Sequence, residues 1–329
     1  MTDHPLTIAI GTYGITAALK QGLVDTGRLQ LQHIEIDPVT KAMRRMVRGL
    51  EFDICEMAIT TYLCAKDRGL PVTAIPVFVT RNFHHWAAFA TAQSGIKSPK
   101  DLEGRRVAVN RGYTVTTGVW VRGIWQTEYG VDLSRITWVP TDDEHVADYV
   151  YPANVDISCR GKEVADLLLS GDCAAAIGDV KSASPDIRPL IPDARKAGFD
   201  YYRRTGIYPI NHTIVIRNSV LDEHPWVAAE LFAAFERSKQ AYDAQLNSGA
   251  TQTPADAAAR EIRDVLAIEP FAFGIEPNRP ALQAITTFAA NQNITSTVLP
   301  LDGLFSPHRY PGLFIWAPEA PAAGVGLQV

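Results

Sequence analysis

KEVADLLLSGDCAAAIGD, residues 162–179, sets apolar residues at helical spacing, stops them with a glycine, and runs into a short apolar strand that ends beside an acid. RRMVRGLEFDICEMA (44–58) has the same grammar. Ala42, Met43, Met46, Val47 and Leu50 recur at helical spacing, Gly49 stops the helix, and FDICEMA supplies the strand that carries Glu56. The likeness is architectural and is not a sequence repeat. Working outward, LTIAIG (6–11), PVTAIPVFV (71–79) and RRVAVN (105–110) read as strands, HTIVIRNSVL (212–221) as a β-rich run, and TTYLCAKD (60–67) as a helix. HPWVAAELFAAFERSKQAYDAQL (224–246), with Pro225 near its start, and ALQAITTFAANQN (281–293) read as later helices. Strands alternating with helices predict parallel pairing through helical crossovers. The polar stretch AQSGIKSPKDLEG (92–104) reads as a linker between two such halves.

Length agrees with two halves, because 329 residues exceed the usual size of one compact core. The expected organisation is a first lobe over 1–91, a second over 92–207, a return crossing with the rest of the first lobe over 208–316, and a loose tail, APEAPAAGVGLQV, over 317–329. Composition excludes several functions. Apolar residues make up 47% and charged ones 20%, and no stretch approaches the ~20 apolar residues of a membrane-spanning helix. The net charge of −5 comes without a basic block, so nucleic acid has no electrostatic footprint here and small molecules are the expected partners. Self-association is left open. Cys55, Cys64, Cys159 and Cys173 show no C-x-x-C spacing and read as buried reduced thiols. The chain opens MTDHPLTIAIGTYG and enters a strand directly, which reads as cytoplasmic.

Ligands in open α/β sheets collect at the carboxyl ends of strands. RNFHHWAAFAT (81–91) follows the strand PVTAIPVFV, so Arg81, His84 and His85 are expected to line a cleft. In VNRGYTVTTG (109–118) a strand ends, Gly112 permits a tight turn, and Thr114, Thr116 and Thr117 precede a helix. Its N–H groups would attract a carboxylate, and Arg111 would add a formal charge. Capping of that helix by the threonines is the alternative. No G-x-x-x-x-G-K-[ST] occurs, which leaves a nucleotide P-loop without support. Glu56 and Asp179 close strands in the two halves and could take a proton or orient a histidine, or cap the next helix. Tyr13 sits in the turn GTYG, where it could stack on or hydrogen-bond an aromatic ligand. His84 and His85, if extended, point to opposite faces and cannot share an ion. No H-x-x-x-H or H-E-x-x-H occurs, so no metal is expected, although Glu56 with His212 makes a composite site conceivable.

The order of segments resembles the type II periplasmic-binding-protein fold, two α/β lobes with mixed sheets facing across a ligand cleft. The resemblance rests on SGIKSPKDLEGRRVAVNRG (94–112), LLLSGDCAAAIGD (167–179) and IVIRNSVLDEHPWVAAEL (214–231), with WAAFAT and HTIVIR matching the two crossings. A finer resemblance is to the 4,5-dihydroxyphthalate decarboxylase family, carried by PVFVTRNFHH (76–85), GYTVTTGVWVRGIWQTEYGVDLSRITWVP (112–140) and YPINHTIVIRNSVLDEHPWVAAELFAAFERSKQAYD (208–243). The first stretch usually reads Arg-x-Phe-Arg-His-Ser. Arg81, Phe83 and His85 match it, while His84 stands where arginine is usual and Trp86 where serine is usual.

The resemblance implies a cytoplasmic carboxy-lyase that removes CO2 from a hydroxylated aromatic dicarboxylate, with neither metal nor organic cofactor. On that reading Arg81 clamps a substrate carboxylate, since a guanidinium's paired donors fix both position and plane. His85 protonates the ring carbon that loses CO2, with His212 as the competing acid or a group orienting a substrate hydroxyl. Glu56 ranks above Asp179 as the supporting carboxylate. Two other functions fit the same fold: a non-catalytic solute-binding protein for an organic acid, and the pyrimidine-forming enzyme of thiamine biosynthesis, whose cysteine-rich motif has no counterpart here.

Overall fold

A computed structural model describes residues 4–306. The chain runs β1 (Leu6–Ala9), α1 (Gly14–Lys20), β2 (Leu31–His33), α2 (Thr40–Gly49), β3 (Ile54–Ala58), α3 (Ile59–Asp67) and β4 (Val72–Arg81), then crosses to a second sheet at β5 (Ala88–Thr91). There it continues through β6 (Arg106–Val109), α4 (Thr116–Tyr129), β7 (Thr137–Pro140), α5 (Val164–Leu169), β8 (Ala175–Ile177), β9 (Ile187–Pro189) and α6 (Ala194–Thr205). It returns through β10 (Ile210–Arg217) and closes with α7 (Asn218–Glu223), α8 (Val227–Ser248), α9 (Pro254–Leu266) and α10 (Arg279–Asn291). The tail expected over 317–329, and the end of the segment expected to reach 316, lie outside the described residues.

Each lobe holds one five-stranded sheet, in the orders β2-β1-β3-β10-β4 and β7-β6-β8-β5-β9. Parallel pairing is only part of the result. β1 with β2 and β3, and β6 with β7 and β8, are parallel, whereas β10 runs antiparallel to β3 and β4, and β5 to β8 and β9. The antiparallel strands are those the chain inserts just after each crossing, so it meets each sheet from the opposite end. The two α/β lobes therefore carry mixed sheets.

Several local expectations change. Gly49 stays helical and the left-handed residue ending α2 is Leu50, at φ 47°. The run 212–221 is strand only as far as Arg217, after which α7 begins. The stretch 92–104 is no loose linker. It folds into two 3-10 turns, with Pro99 and Leu102 buried and a capping box between Ser98 and Asp101. Helices α1, α6 and α9 were not foreseen.

The apolar cores explain how the lobes are held together. One cluster covers a face of the first sheet with Ile8, Phe232 and Phe235. Another runs through both lobes, from Tyr62 and Phe78 to Trp120 and Phe288. α10 makes that continuity. Phe288 meets the edge of Trp120 at 5.7 Å, while the Gln292 carboxamide accepts from Arg122 Nε (2.7 Å) and donates to the Val119 carbonyl (2.9 Å). All four cysteines are buried and free. Among the described residues no helix is long and apolar enough to cross a membrane.

Candidate active site

A cleft of about 520 Å³ opens between the lobes. The first lobe contributes Thr40, Lys41, Arg44 and Arg45 from the start of α2, and Ala58 and Thr61 from the β3–α3 junction. The second contributes Arg111, Gly112 and Thr114–Thr117 from the β6–α4 turn and Asp142–His145 after β7. Asn211 and His212, at the start of β10, complete it. β3, β6 and β7 all deliver their carboxyl ends here, where a parallel sheet leaves backbone and helix starts free for a ligand.

His212 pairs with Ala58 across the β10–β3 ladder, which brings it beside the Glu56 side chain. Glu56 is fully buried, and three donors converge on its carboxylate. Gly11 N–H gives a bond of 2.8 Å to Oε2, and the Tyr13 hydroxyl (2.8 Å) and His212 Nδ1 (2.6 Å) both reach Oε1. A buried carboxylate is costly unless donors surround it, and this set meets that need. Gly11 is required by the crowding, because a Cβ there would lie within 2.8 Å of the Tyr13 ring and hydroxyl. Burial, followed by Glu56, pushes the Tyr13 phenol well above its ordinary value, so it stays a hydrogen-bond donor. With Nδ1 committed to Glu56, His212 keeps Nε2 as the nitrogen available to a ligand.

The β6–α4 turn is cationic. Arg111 sits in the left-handed region at φ 75°, and burial lowers its guanidinium, against the pull of Asp142 and Asp179. The threonines are not equivalent. Thr114 is spent on Glu144, whose carboxylate accepts from Thr114 N–H (3.0 Å), Thr114 Oγ1 (2.5 Å) and Tyr113 N–H (2.5 Å). Gly112 makes room for this, since a Cβ would stand 2.5 Å from a Glu144 oxygen. Thr116 Oγ1 pairs with Thr60 Oγ1 at 2.8 Å across the lobes. None of the three caps α4: its N-cap is Val115, without a side-chain hydrogen bond. The first-turn N–H groups of Thr116 and Thr117 thus border the cleft with no side-chain cap, as an anion site requires. Asp179 is exposed and does not line the cleft; its carbonyl accepts from Asn110 Nδ2 at 2.7 Å.

Arg81, His84 and His85 do not line the cleft, contrary to the expectation from their place after β4. The reason is a cover the sequence does not advertise, made by α6 and residues 206–209. Phe83 packs on Phe199 and Tyr208, Arg81 lies against the Tyr208 ring at 4.5 Å, and its Nη2 donates to the Tyr208 carbonyl at 2.7 Å. Burial lowers the Arg81 guanidinium to about 10. His85 is 3% exposed against Tyr201. His84, stacked on Trp120, bonds through Nε2 to Asn211 Oδ1 at 3.0 Å, so it acts on the cleft indirectly by fixing an amide that lines it. Burial is the main cause that brings both imidazoles down to about 4. At pH 7 only roughly one in 10³ of such a group carries a proton.

Burial also brings His145 to about 4. Three folded-state values near 4 against an ordinary 6.5 mean that the unfolded chain binds more protons between those limits. Stability is therefore fully present above pH 6.5 and is lost as pH falls towards 4. Thermal melts across this window are expected to show a steadily falling midpoint, with a shallower slope in His85→Gln. An identical slope in that variant would contradict the burial of His85.

Lys41, Arg44, Arg45, Asn211 and His145 escaped the sequence reading. Asn211 alone left a signal, its position next to His212. Glu56 and His212 meet directly, and among the described residues no group of three or more histidine, cysteine, aspartate and glutamate side chains is placed to hold a metal ion.

The sequence profile described as NMT1/THI5 like matches residues 51–245. The chain is 33% identical over 253 residues to the 4,5-dihydroxyphthalate decarboxylase of Comamonas testosteroni, covering 73% of this chain and 76% of the relative. With the Pseudomonas putida protein of the same name it shares 29% identity over 216 residues, covering 62% and 83%. Its fold is similar to the periplasmic aliphatic sulphonate binding protein of Escherichia coli (TM-score 0.53, 16% identity, 93% of this chain and 98% of the other). It is also similar to a putative periplasmic sulfonate-binding protein from Methylobacillus flagellatus (TM-score 0.51, 12% identity, 92% and 91%). At such identities these structures speak for the two-lobed fold alone. Matched over most of its length by the two decarboxylases and over more than half by the profile, the chain belongs to the NMT1/THI5-like proteins and, among them, to the 4,5-dihydroxyphthalate decarboxylase family.

Proposed function

We propose that this chain decarboxylates a hydroxylated aromatic dicarboxylate, 4,5-dihydroxyphthalate, to 3,4-dihydroxybenzoate and CO2, with His212 as the acid that protonates the ring carbon. The observation that carries this reading is the bond between His212 Nδ1 and the buried Glu56, beside a cleft whose opposite wall holds Arg111 and the start of α4. Arg111 and the Thr116 and Thr117 N–H groups receive the carboxylates. The hydroxyl para to the departing carboxylate pushes electron density to the ring carbon that bears it. Protonated His212 gives its Nε2 proton to that carbon, the C–C bond breaks, its electron pair restores aromaticity, and CO2 leaves. Glu56 holds the imidazole in place through Nδ1 throughout, and Tyr13 and Gly11 hold Glu56. Partial removal of the substrate carboxylate from water assists, because its charge disappears as CO2 forms.

His85 is replaced in the acid role because an imidazole brought to about 4 and sealed behind α6 is neutral at pH 7 and has no path to the ligand. Arg81 and His84 become supports of the cleft wall. Turnover of a panel of hydroxylated benzoates and phthalates by the purified chain tests the reading. The expected result is CO2 release from 4,5-dihydroxyphthalate, with phthalate itself inert for want of the para hydroxyl. Tight binding of these acids with no CO2 from any of them would make the chain a solute-binding protein.

A further inference from the structure

His145 lines the cleft from the second lobe, yet the proton transfer above does not use it. Its place is fixed from the first lobe. Thr61 Oγ1 lies 3.1 Å from its Nδ1, Arg48 Nε donates to its carbonyl at 3.1 Å, and Arg48 Nη2 donates to the neighbouring Glu144 carbonyl at 2.8 Å. Nδ1 is thereby taken, and among the described residues no hydrogen bond uses Nε2. The acids on the same loop are committed elsewhere: Asp142 to Arg44 (3.3 Å), Asp143 to Arg160 (3.0 Å) and Glu144 to the 113–114 backbone. The imidazole Nε2 is thus a hydrogen-bonding atom at the cleft wall without a partner among the described residues.

We infer that His145 Nε2 hydrogen-bonds a ring hydroxyl of the substrate and so makes the cleft select hydroxylated over unhydroxylated aromatic dicarboxylates. The choice of a hydroxyl over a carboxylate follows from charge. Burial first, and then Arg44, Arg111 and Arg48, which face this imidazole, keep it neutral against the counter-charge of Asp142. A neutral ring compensates a desolvated carboxylate poorly, and Arg111 with the α4 start already offers that site. A hydroxyl both donates and accepts, so it suits either imidazole tautomer. A nitrogen stripped of water by the bound ligand and left facing the bare ring of an unhydroxylated analogue finds no partner, and this is how a polar site rejects such an analogue.

The identity of the ligand rests on the decarboxylase reading, so the test is made on binding. Titration calorimetry of 4,5-dihydroxyphthalate and of phthalate is carried out on the full chain with His212→Asn as background, so that ligand is not consumed. Adding His145→Leu is expected to weaken 4,5-dihydroxyphthalate at least about fivefold while phthalate stays within about twofold, and His145→Gln is expected to recover most of the loss. Thr61→Ala, which frees the ring without removing it, is expected to give a smaller loss in the same direction. Equal weakening of both ligands, or of neither, overturns the inference. Absence of CO2 from the unsubstituted chain, read separately, sinks the decarboxylase reading while leaving a hydroxyl preference intact.

Discussion

Replacing His212 with asparagine is expected to lower kcat by roughly 10²–10⁴-fold, the usual contribution of a positioned general acid, while KM moves by less than about tenfold. Asparagine keeps one hydrogen-bonding group towards Glu56 but has no titratable proton. The split between kcat and KM separates loss of the acid from collapse of the pocket. Glu56→Gln is expected to fall in the same direction by a smaller factor, because the imidazole keeps a hydrogen-bonding partner at Nδ1 but loses the carboxylate that orients it. His85→Asn should leave kcat within a few-fold of the parent, since His85 is buried against Tyr201 and not at the cleft. If His85→Asn abolished turnover and His212→Asn did not, the assignment would be reversed.

The second large effect is expected at Arg111. Its guanidinium borders the cleft beside the α4 start and is partly stripped of water. Arg111→Gln should weaken dicarboxylate binding by about 1.5–3 kcal/mol, or roughly 10- to 150-fold in Kd, with a much smaller effect on a neutral catechol. Arg81→Gln, by contrast, should lower stability through the lost Tyr208 contacts and leave Kd little changed. An Arg81 variant that folds normally but loses binding would return Arg81 to the role its sequence position first gave it.

The comparison of these two arginines explains what could be read in advance. Arg81 ends β4 and Arg111 lies just past β6, and the strand-end rule nominates both. Arg111 stays at the cleft because Gly112, Glu144 and the α4 start leave its side open. Arg81 is covered because α6 and Tyr208 fold over the crossing turn, and α6 was not recognised from its polar sequence ARKAGFDYYRRT. Glu56 and His212 were legible for a similar reason, one near a strand end and the other at the start of a strand, although their pairing depends on the β10–β3 register and could not be derived from spacing. Lys41, Arg44 and His145 reach the cleft only through the packing of one lobe on the other. Fold class was more accessible than site, because the helix–glycine–strand grammar is local and repeated. The antiparallel insertion of β5 and β10 is a property of the crossings, which local patterning does not encode.

The most direct test of the account is to incubate the purified, metal-stripped chain with 4,5-dihydroxyphthalate in D2O and follow CO2 and the product together. The expected result is one CO2 per substrate and 3,4-dihydroxybenzoate carrying a single deuterium at the carbon that lost the carboxylate, with both lost in His212→Asn. Recovery of unchanged substrate from a saturated cleft, or product formation that survives His212→Asn, would contradict it.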